Sequence, residues 1–244
     1  MDILGIETSC DETAAAVVRD GREVLSSAVY TQIPLHRPYG GVVPEIASRA
    51  HVEKIGQVVG EAMRRFRESG GDSIDAVAVT YGPGLSPALV VGLNAAKGLA
   101  KGLGVPLVGI NHIEAHLHTP FLVDADDARE GRPVPSPEGC MPALGLAISG
   151  GHTAWIDMPS YGRYEILGQT LDDAAGEAFD KAAKLLGLGY PGGPVVDRIS
   201  REYLSSSAPD SLVPFPKGRP RDGVSALAGL PAELCVSFSG LKTA

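Results

Sequence analysis

Asp2-Ile3-Leu4-Gly5-Ile6-Glu7-Thr8-Ser9-Cys10-Asp11-Glu12-Thr13-Ala14-Ala15-Ala16-Val17-Val18-Arg19-Asp20-Gly21 opens the chain, and its reading decides the fold. Apolar runs at 3–7, 14–19 and 23–30 read as short strands, with Asp11-Glu12 and Asp20-Gly21 supplying the turns. Asp-Gly between two such runs is a strong hairpin signal. A helix is predicted over 44–69, where Ile55, Val59, Ala62, Met63 and Phe66 recur at helical spacing and Gly70-Gly71 ends the pattern. The opening unit is therefore βββα.

Outward from that unit, 74–80 reads as a strand around Ala76-Val77-Ala78-Val79, followed by the loop Tyr81-Gly82-Pro83-Gly84 and a helix over 86–103. A buried strand is predicted at 105–110, and His112-Ile113-Glu114-Ala115-His116 starts the next helix, with Asn111 as its N-cap. Residues 124–142 are rich in Asp, Pro, Gly and Arg without periodicity and read as a flexible surface insertion. The opening pattern then recurs: strands at 143–149, 153–158 and 164–168, turns at Gly150-Gly151 and Ser160-Tyr161-Gly162, and a helix over 172–186. The expected organisation is a first half at 1–123 carrying the histidine motif, the insertion at 124–142, and a second half at 143–244. After the second βββα comes a Pro- and Ser-rich segment at 205–231 and then Ser237-Phe238-Ser239-Gly240-Leu241-Lys242, so the second copy lacks its fourth and fifth strands. A sheet short of two strands leaves an edge and an apolar face uncovered. The sequence thus reads as a truncated form, or one that another segment completes.

Composition narrows the class. Hydrophobic residues make up 44% and charged residues 20%, as in an ordinary folded domain. No apolar stretch is long enough to span a bilayer, and Met1-Asp2-Ile3-Leu4 lacks the basic region of a signal peptide. The three cysteines, Cys10, Cys140 and Cys235, are far apart, which excludes a disulfide framework and a CxxC knuckle and makes the cytoplasm the default location. The net charge of -8 excludes nucleic-acid binding through the overall field. Local basic groups remain at Arg64, Arg65 and Arg67 and at Lys217, Arg219 and Arg221, each reading first as solvated surface.

His112 and His116 are spaced to lie on one face of a helix, one turn apart, so both imidazoles can reach one ion. They follow a strand directly, and in open α/β sheets ligands collect past the carboxyl ends of strands. Zinc peptidases place the general-base glutamate directly after the first histidine. Here that position is Ile113 and the acid is Glu114. His51 reads as a packed or surface helix residue, and His152 as part of its turn.

Duplicated βββα units resemble the α/β fold of actin, Hsp70 and the sugar kinases, built from two ribonuclease H-like βββαβαβα halves, here with the second half incomplete. In that fold the two first turns grip a nucleotide's phosphates. Ser149-Gly150-Gly151-His152 offers unobstructed backbone N–H groups, and Thr8-Ser9-Cys10-Asp11-Glu12-Thr13 offers hydroxyls and carboxylates. Further on, Asp173, Glu177 and Asp180 fall on roughly one helix face, either as a salt-bridged surface or as ligands for ribose hydroxyls. Gly189-Tyr190-Pro191-Gly192-Gly193-Pro194 lets the backbone approach a flat ligand, and Asp197 follows.

The runs GIETSCDETAAAVV, GGVVPEIASRAHVEKI, TYGPGLSPALVVG, NHIEAHLH, ISGGHT, LDDAAGEAFDKAAKLLGLGYPGGP and FSGLKTA resemble the tRNA N6-adenosine threonylcarbamoyltransferases. This is the bacterial Tsa D family, whose archaeal and eukaryotic relatives are the catalytic subunits of KEOPS. The resemblance implies transfer of a threonylcarbamoyl group from threonylcarbamoyl-AMP to N6 of adenosine 37 in tRNAs reading ANN codons. It implies one divalent metal ion on His112 and His116, described as iron, with zinc or magnesium as alternatives. It places Ala147, Ile148, Ser149, Gly150 and Gly151 against the donor, Asp180, Gly193 and Asp197 around its adenosine, and Asp11 and Glu12 as catalytic carboxylates. It implies tRNA, a paralogous dimerisation partner and a small ATPase as partners, and no membrane. The family's third metal ligand, an aspartate, lies past the position equivalent to Ala244. The other readings are a non-catalytic nucleotide-binding scaffold of the same complex and a metallopeptidase.

Overall fold

The computed structural model describes residues 1–124, 127, 130–206 and 230–242. The chain divides into two compact units, Met1–Pro137 and Glu138–Ala244, each with its own sheet.

In the first unit β1 (Asp2–Glu7), β2 (Glu12–Arg19) and β3 (Glu23–Thr31) pair antiparallel in succession. β3 runs into a short helix, α1 (Ile33–His36), and then into α2 (Pro44–Glu68). β4 (Ala76–Gly82) and β5 (Leu107–Asn111) lie parallel to β1, giving the order β3-β2-β1-β4-β5. Parallel neighbours cannot be joined by a hairpin, so α2 and α3 (Ser86–Leu103) make the crossovers. This arrangement sets the carboxyl ends of β1, β4 and β5 side by side. Ile6 pairs with Val79, Thr80 with Ile110, and Gly82 with Asn111.

The core lies between this sheet and the crossover helices. Leu4, Ile6, Val17, Val77 and Val79 meet Val59, Ala62 and Phe66 of α2 and Ala96 and Ala100 of α3. α3 buries a small residue at every turn, Ala88, Gly92, Ala96 and Ala100, which lets its backbone lie close on the sheet. At Gly92 the approach is so close that a Cβ would strike the Thr8 hydroxyl.

The strand expected at 74–80 is shifted to Ala76–Gly82, so Tyr81 and Gly82 belong to β4 and not to the loop, and two further expectations change at β5. The run predicted to be a buried strand forms β5, but Leu107 and Val108 are 37% and 44% exposed because this is the last strand of the sheet. The strand also begins at Leu107, two residues later than expected. Val105 donates its N–H to Ala100 at the end of α3, and Pro106 has no N–H to give a ladder.

In the second unit β6 (Ala143–Ile148), β7 (Thr153–Ser160) and β8 (Arg163–Gln169) form an antiparallel sheet in the order β6-β7-β8. The helices α4 (His112–His118) of the first unit and α5 (Ala175–Leu185) and α6 (Gly192–Ser206) of the second complete the main elements. The βββα pattern is thus repeated, and the fold is α/β, with a mixed five-stranded sheet in the first unit and a three-stranded antiparallel sheet in the second. The helix expected from residue 172 starts at Ala175. Before it, the Thr170 hydroxyl donates to the Asp173 carbonyl in a local turn, and Asp172 is engaged elsewhere. The Lys217, Arg219 and Arg221 group and most of the Pro- and Ser-rich segment lie outside the described residues.

Candidate functional site

The carboxyl ends of β1, β4 and β5 build the histidine site. Asn111 closes β5 and caps α4: its side-chain oxygen accepts from Ile113 N at 2.9 Å and Glu114 N at 3.2 Å. That cap makes His112 the first residue of the helix and sets His116 one turn on. Their Nε2 atoms face each other at 3.1 Å, with ring planes 87° apart. Two imidazoles bound to one tetrahedral ion at metal–nitrogen distances of about 2.1 Å hold their nitrogens about 3.4 Å apart, so the pair fits a shared ion. Loss of solvent around the ring, and then the adjacent His112, lower the pKa of His116 below its usual value. Its neutral form, the one that binds metal, is therefore favoured. Among the described residues no group of three or more His, Cys, Asp or Glu side chains surrounds such a position.

The opposite edge of the His112 ring is held by the end of β1. Nδ1 lies 3.1 Å from Ser9 Oγ and 3.2 Å from Glu7 Oε2. Glu7 also accepts from the Thr80 hydroxyl at 2.6 Å and from the Ser9 backbone N–H. Burial opposes ionisation of the Glu7 carboxyl, but the hydrogen bonds from His112, Ser9 and Thr80 outweigh it and bring its pKa down to about 2. Glu7 and Thr80 escaped the sequence reading. The available signal was a lone charged residue closing an apolar strand.

The first turn rests on a buried polar network. His51 of α2 is fully buried, with Nδ1 2.8 Å from the Thr13 hydroxyl and Nε2 3.0 Å from the Cys10 carbonyl. Gln32 N donates to the Asp11 carbonyl at 3.0 Å, and the Gln32 Oε1 meets His36 Nε2 at 3.2 Å. Above the turn, Leu85 N donates to the Ser9 carbonyl at 2.8 Å. The turn that carries Asp11 and Glu12 is thereby fixed at its backbone, with Asp11 half-buried and Glu12 exposed. Burial, and then the neighbouring Asp11, push the Cys10 thiol up to about 12, which removes it as a nucleophile near neutral pH. Of the two sequence readings of His51, a packed or a surface helix residue, the structure shows the packed one.

In the second unit the predicted residues form a glycine turn and a helix junction. Ser149 Oγ accepts from His152 N at 3.0 Å and Gly151 N at 3.3 Å, while Ser149 N donates to the His152 carbonyl at 2.8 Å. His152 thus helps set the turn, as its sequence position suggested. Ala147 is buried below it, and Ile148, Gly150 and Gly151 are exposed. Gly176 abuts the same turn: a Cβ there would meet the Ser149 carbonyl at 2.7 Å and Gly150 Cα at 2.8 Å. Asp180 accepts from Gly192 N at 2.7 Å, which ties α5 to the start of α6 and brings Asp180 beside Gly193. Asp197 is exposed and pairs with Arg201 at 3.0 Å. The acidic run divides: Lys181 bridges Asp173 at 2.6 Å and Glu177 at 2.9 Å, whereas Asp180 serves the glycine turn. On α2, Arg64 and Arg65 pair with Glu61, each at 2.7 Å, consistent with the solvated-surface reading.

The family model for tRNA N6-adenosine threonylcarbamoyltransferase matches residues 23–244. The chain belongs to this family. Curated threonylcarbamoyltransferases from Anaeromyxobacter dehalogenans and Symbiobacterium thermophilum are each 52% identical over 242 residues, 99% of this chain. The chain spans 64% and 63% of those two relatives' own lengths. Among solved structures it is similar to the ethanolamine utilization protein EutJ from Carboxydothermus hydrogenoformans, at 11% identity and a TM-score of 0.43, covering 84% of this chain and 65% of that one.

Proposed function

We propose that the protein this chain belongs to transfers the threonylcarbamoyl group of threonylcarbamoyl-AMP to N6 of adenosine 37 in tRNAs reading ANN codons. The observation that carries the reading is the facing of the His112 and His116 nitrogens at 3.1 Å, in a chain matched by this family model over 23–244. In the reaction, N6 attacks the carbamoyl carbon, the bond from that carbon to the AMP phosphate oxygen breaks, AMP departs with the electron pair, and N6 loses a proton. Asp11 and Glu12, on a turn whose backbone His51 and Gln32 hold in place, would be the carboxylates that accept it. A divalent ion on His112 and His116, iron in our reading with zinc and magnesium as alternatives, would act as a Lewis acid on the donor's carbonyl.

The second unit supplies donor contacts. In this reading the Ala147-Ile148-Ser149-Gly150-Gly151 turn would contact the donor, with the bare Gly150-Gly151 backbone toward its phosphate, and Asp180, Gly193 and Asp197 would bind the adenosine of the adenine nucleotide. Partners in this reading are tRNA, a paralogous dimerisation subunit and a small ATPase, and the location is the cytoplasm. No helix among the described residues is long and apolar enough to cross a membrane.

The test is transfer by the complete protein with its partners, followed by mass spectrometry of tRNA nucleosides. Wild type is expected to convert adenosine 37, and His112→Ala or His116→Ala to lose at least about a hundredfold in rate, an effect of the size that lost electrostatic stabilisation produces. Undiminished transfer by both variants would refute the role given to the pair.

A further inference from the structure

We infer that Glu7 is a positioning residue that fixes His112 as its Nδ1–H tautomer, so that Nε2 presents its lone pair toward His116. The proposal rests on the metal reading above for its purpose, but its geometry stands within the first unit. Glu7 lies at the carboxyl end of β1, and its Oε2 is 3.2 Å from His112 Nδ1. An ionised carboxylate can only accept, so the proton on that contact belongs to Nδ1. The neighbouring Ser9 hydroxyl, 3.1 Å from the same nitrogen, can donate or accept and does not decide the tautomer by itself.

The carboxylate is held for this task from two sides. Thr80 Oγ1, on the adjacent strand, donates to Oε2 at 2.6 Å, and the Ser9 backbone N–H donates to Oε1. The β1–β4 pairing, with Ile6 opposite Val79, is what brings Glu7 and Thr80 to the same level of the sheet. Both oxygens are therefore anchored by groups other than His112. With Nδ1 protonated, the nitrogen left as acceptor is Nε2, which lies 3.1 Å from His116 Nε2. A carboxylate on the far nitrogen of a metal-binding imidazole fixes ring orientation and raises ligand basicity, and its loss typically weakens metal binding 10–100-fold.

The test reads the tautomer directly. In the metal-free, ¹⁵N-labelled full chain, long-range proton–nitrogen spectra assigned with His112→Gln are expected to show Nδ1 protonated and Nε2 unprotonated at His112 near neutral pH. In Glu7→Ala, the Nε2–H form is expected to gain population, and the affinity for Zn²⁺ alone, by calorimetry, to fall about 10–100-fold. Finding Nε2–H in the wild-type chain would overturn the proposal without any variant, so a poorly folding Glu7→Ala does not shield it. An unchanged tautomer and unchanged Zn²⁺ affinity in a cooperatively folded Glu7→Ala would also overturn it. If wild type binds no Zn²⁺ while His112 is Nδ1–H, the metal reading fails and the positioning by Glu7 stands.

Discussion

At the scale of single residues, the site depends on groups that are polar where the fold would otherwise be apolar. His51 sits at a core position of α2 and is satisfied by Thr13 and the Cys10 carbonyl. Replacing it with leucine leaves those partners buried and unpaired, and is expected to lower unfolding free energy by about 1–3 kcal/mol in urea titrations. Burial lowers the pKa of both His51 and His36 from the ordinary histidine value. The unfolded chain then binds more protons than the folded one just below that value, about 6.5, so stability rises with pH through this window. Acidification from pH 7 is expected to destabilise the chain beginning near pH 6.5, and the double variant His36→Gln, His51→Gln to flatten that dependence. A stability profile flat between pH 7 and pH 5 in wild type would contradict the burial argument.

At the scale of elements, the strands and helices were legible because their periodicities are clean. The Asp-Gly hairpin between β2 and β3, the apolar stripe of α2 and the Asn111 cap all act through neighbours in sequence. What escaped was set by neighbours in space. Nothing local marks β5 as an outer strand, and nothing local joins Glu7 to Thr80, 73 residues away. His112 and His116 were visible because helical spacing is local. Their companions Glu7 and Ser9 were not, because a sheet register brings them in. Asp172 shows the same limit: it read as part of a helix but clamps the 237–239 segment. It accepts from Ser237 Oγ at 2.5 Å, Phe238 N at 2.8 Å and Ser239 Oγ at 2.8 Å. Burial raises its pKa somewhat, but these hydrogen bonds outweigh that and hold it at about 2. The anchoring is therefore complete above the ordinary aspartate pKa near 4 and is lost as pH falls toward 2. Asp172→Asn is expected to raise hydrogen exchange at Val236–Ser239 amides selectively, leaving α5 protected. Equal protection in the variant would show that the bridge between Thr170 and Val236 alone holds the segment.

At the scale of the whole molecule, the predicted chemistry divides between the two units, histidines and acidic turn in the first, glycine turn and Asp180 in the second. The second sheet leaves β6 at its edge, with Leu144, Leu146 and Ile148 at 62%, 43% and 59% exposure. Exposed apolar edge strands invite pairing with another copy. Sedimentation of this chain is expected to show concentration-dependent association that Leu146→Lys reduces, and equal association by the variant would place the contact elsewhere. The central claim is that the ends of β1, β4 and β5 make a metal site of His112 and His116. X-ray absorption of the zinc-loaded protein tests it most directly. The account predicts two imidazole nitrogens at about 2.0–2.1 Å in wild type and a single imidazole in His116→Ala. A first shell with no imidazole, or one unchanged by His116→Ala, would contradict it.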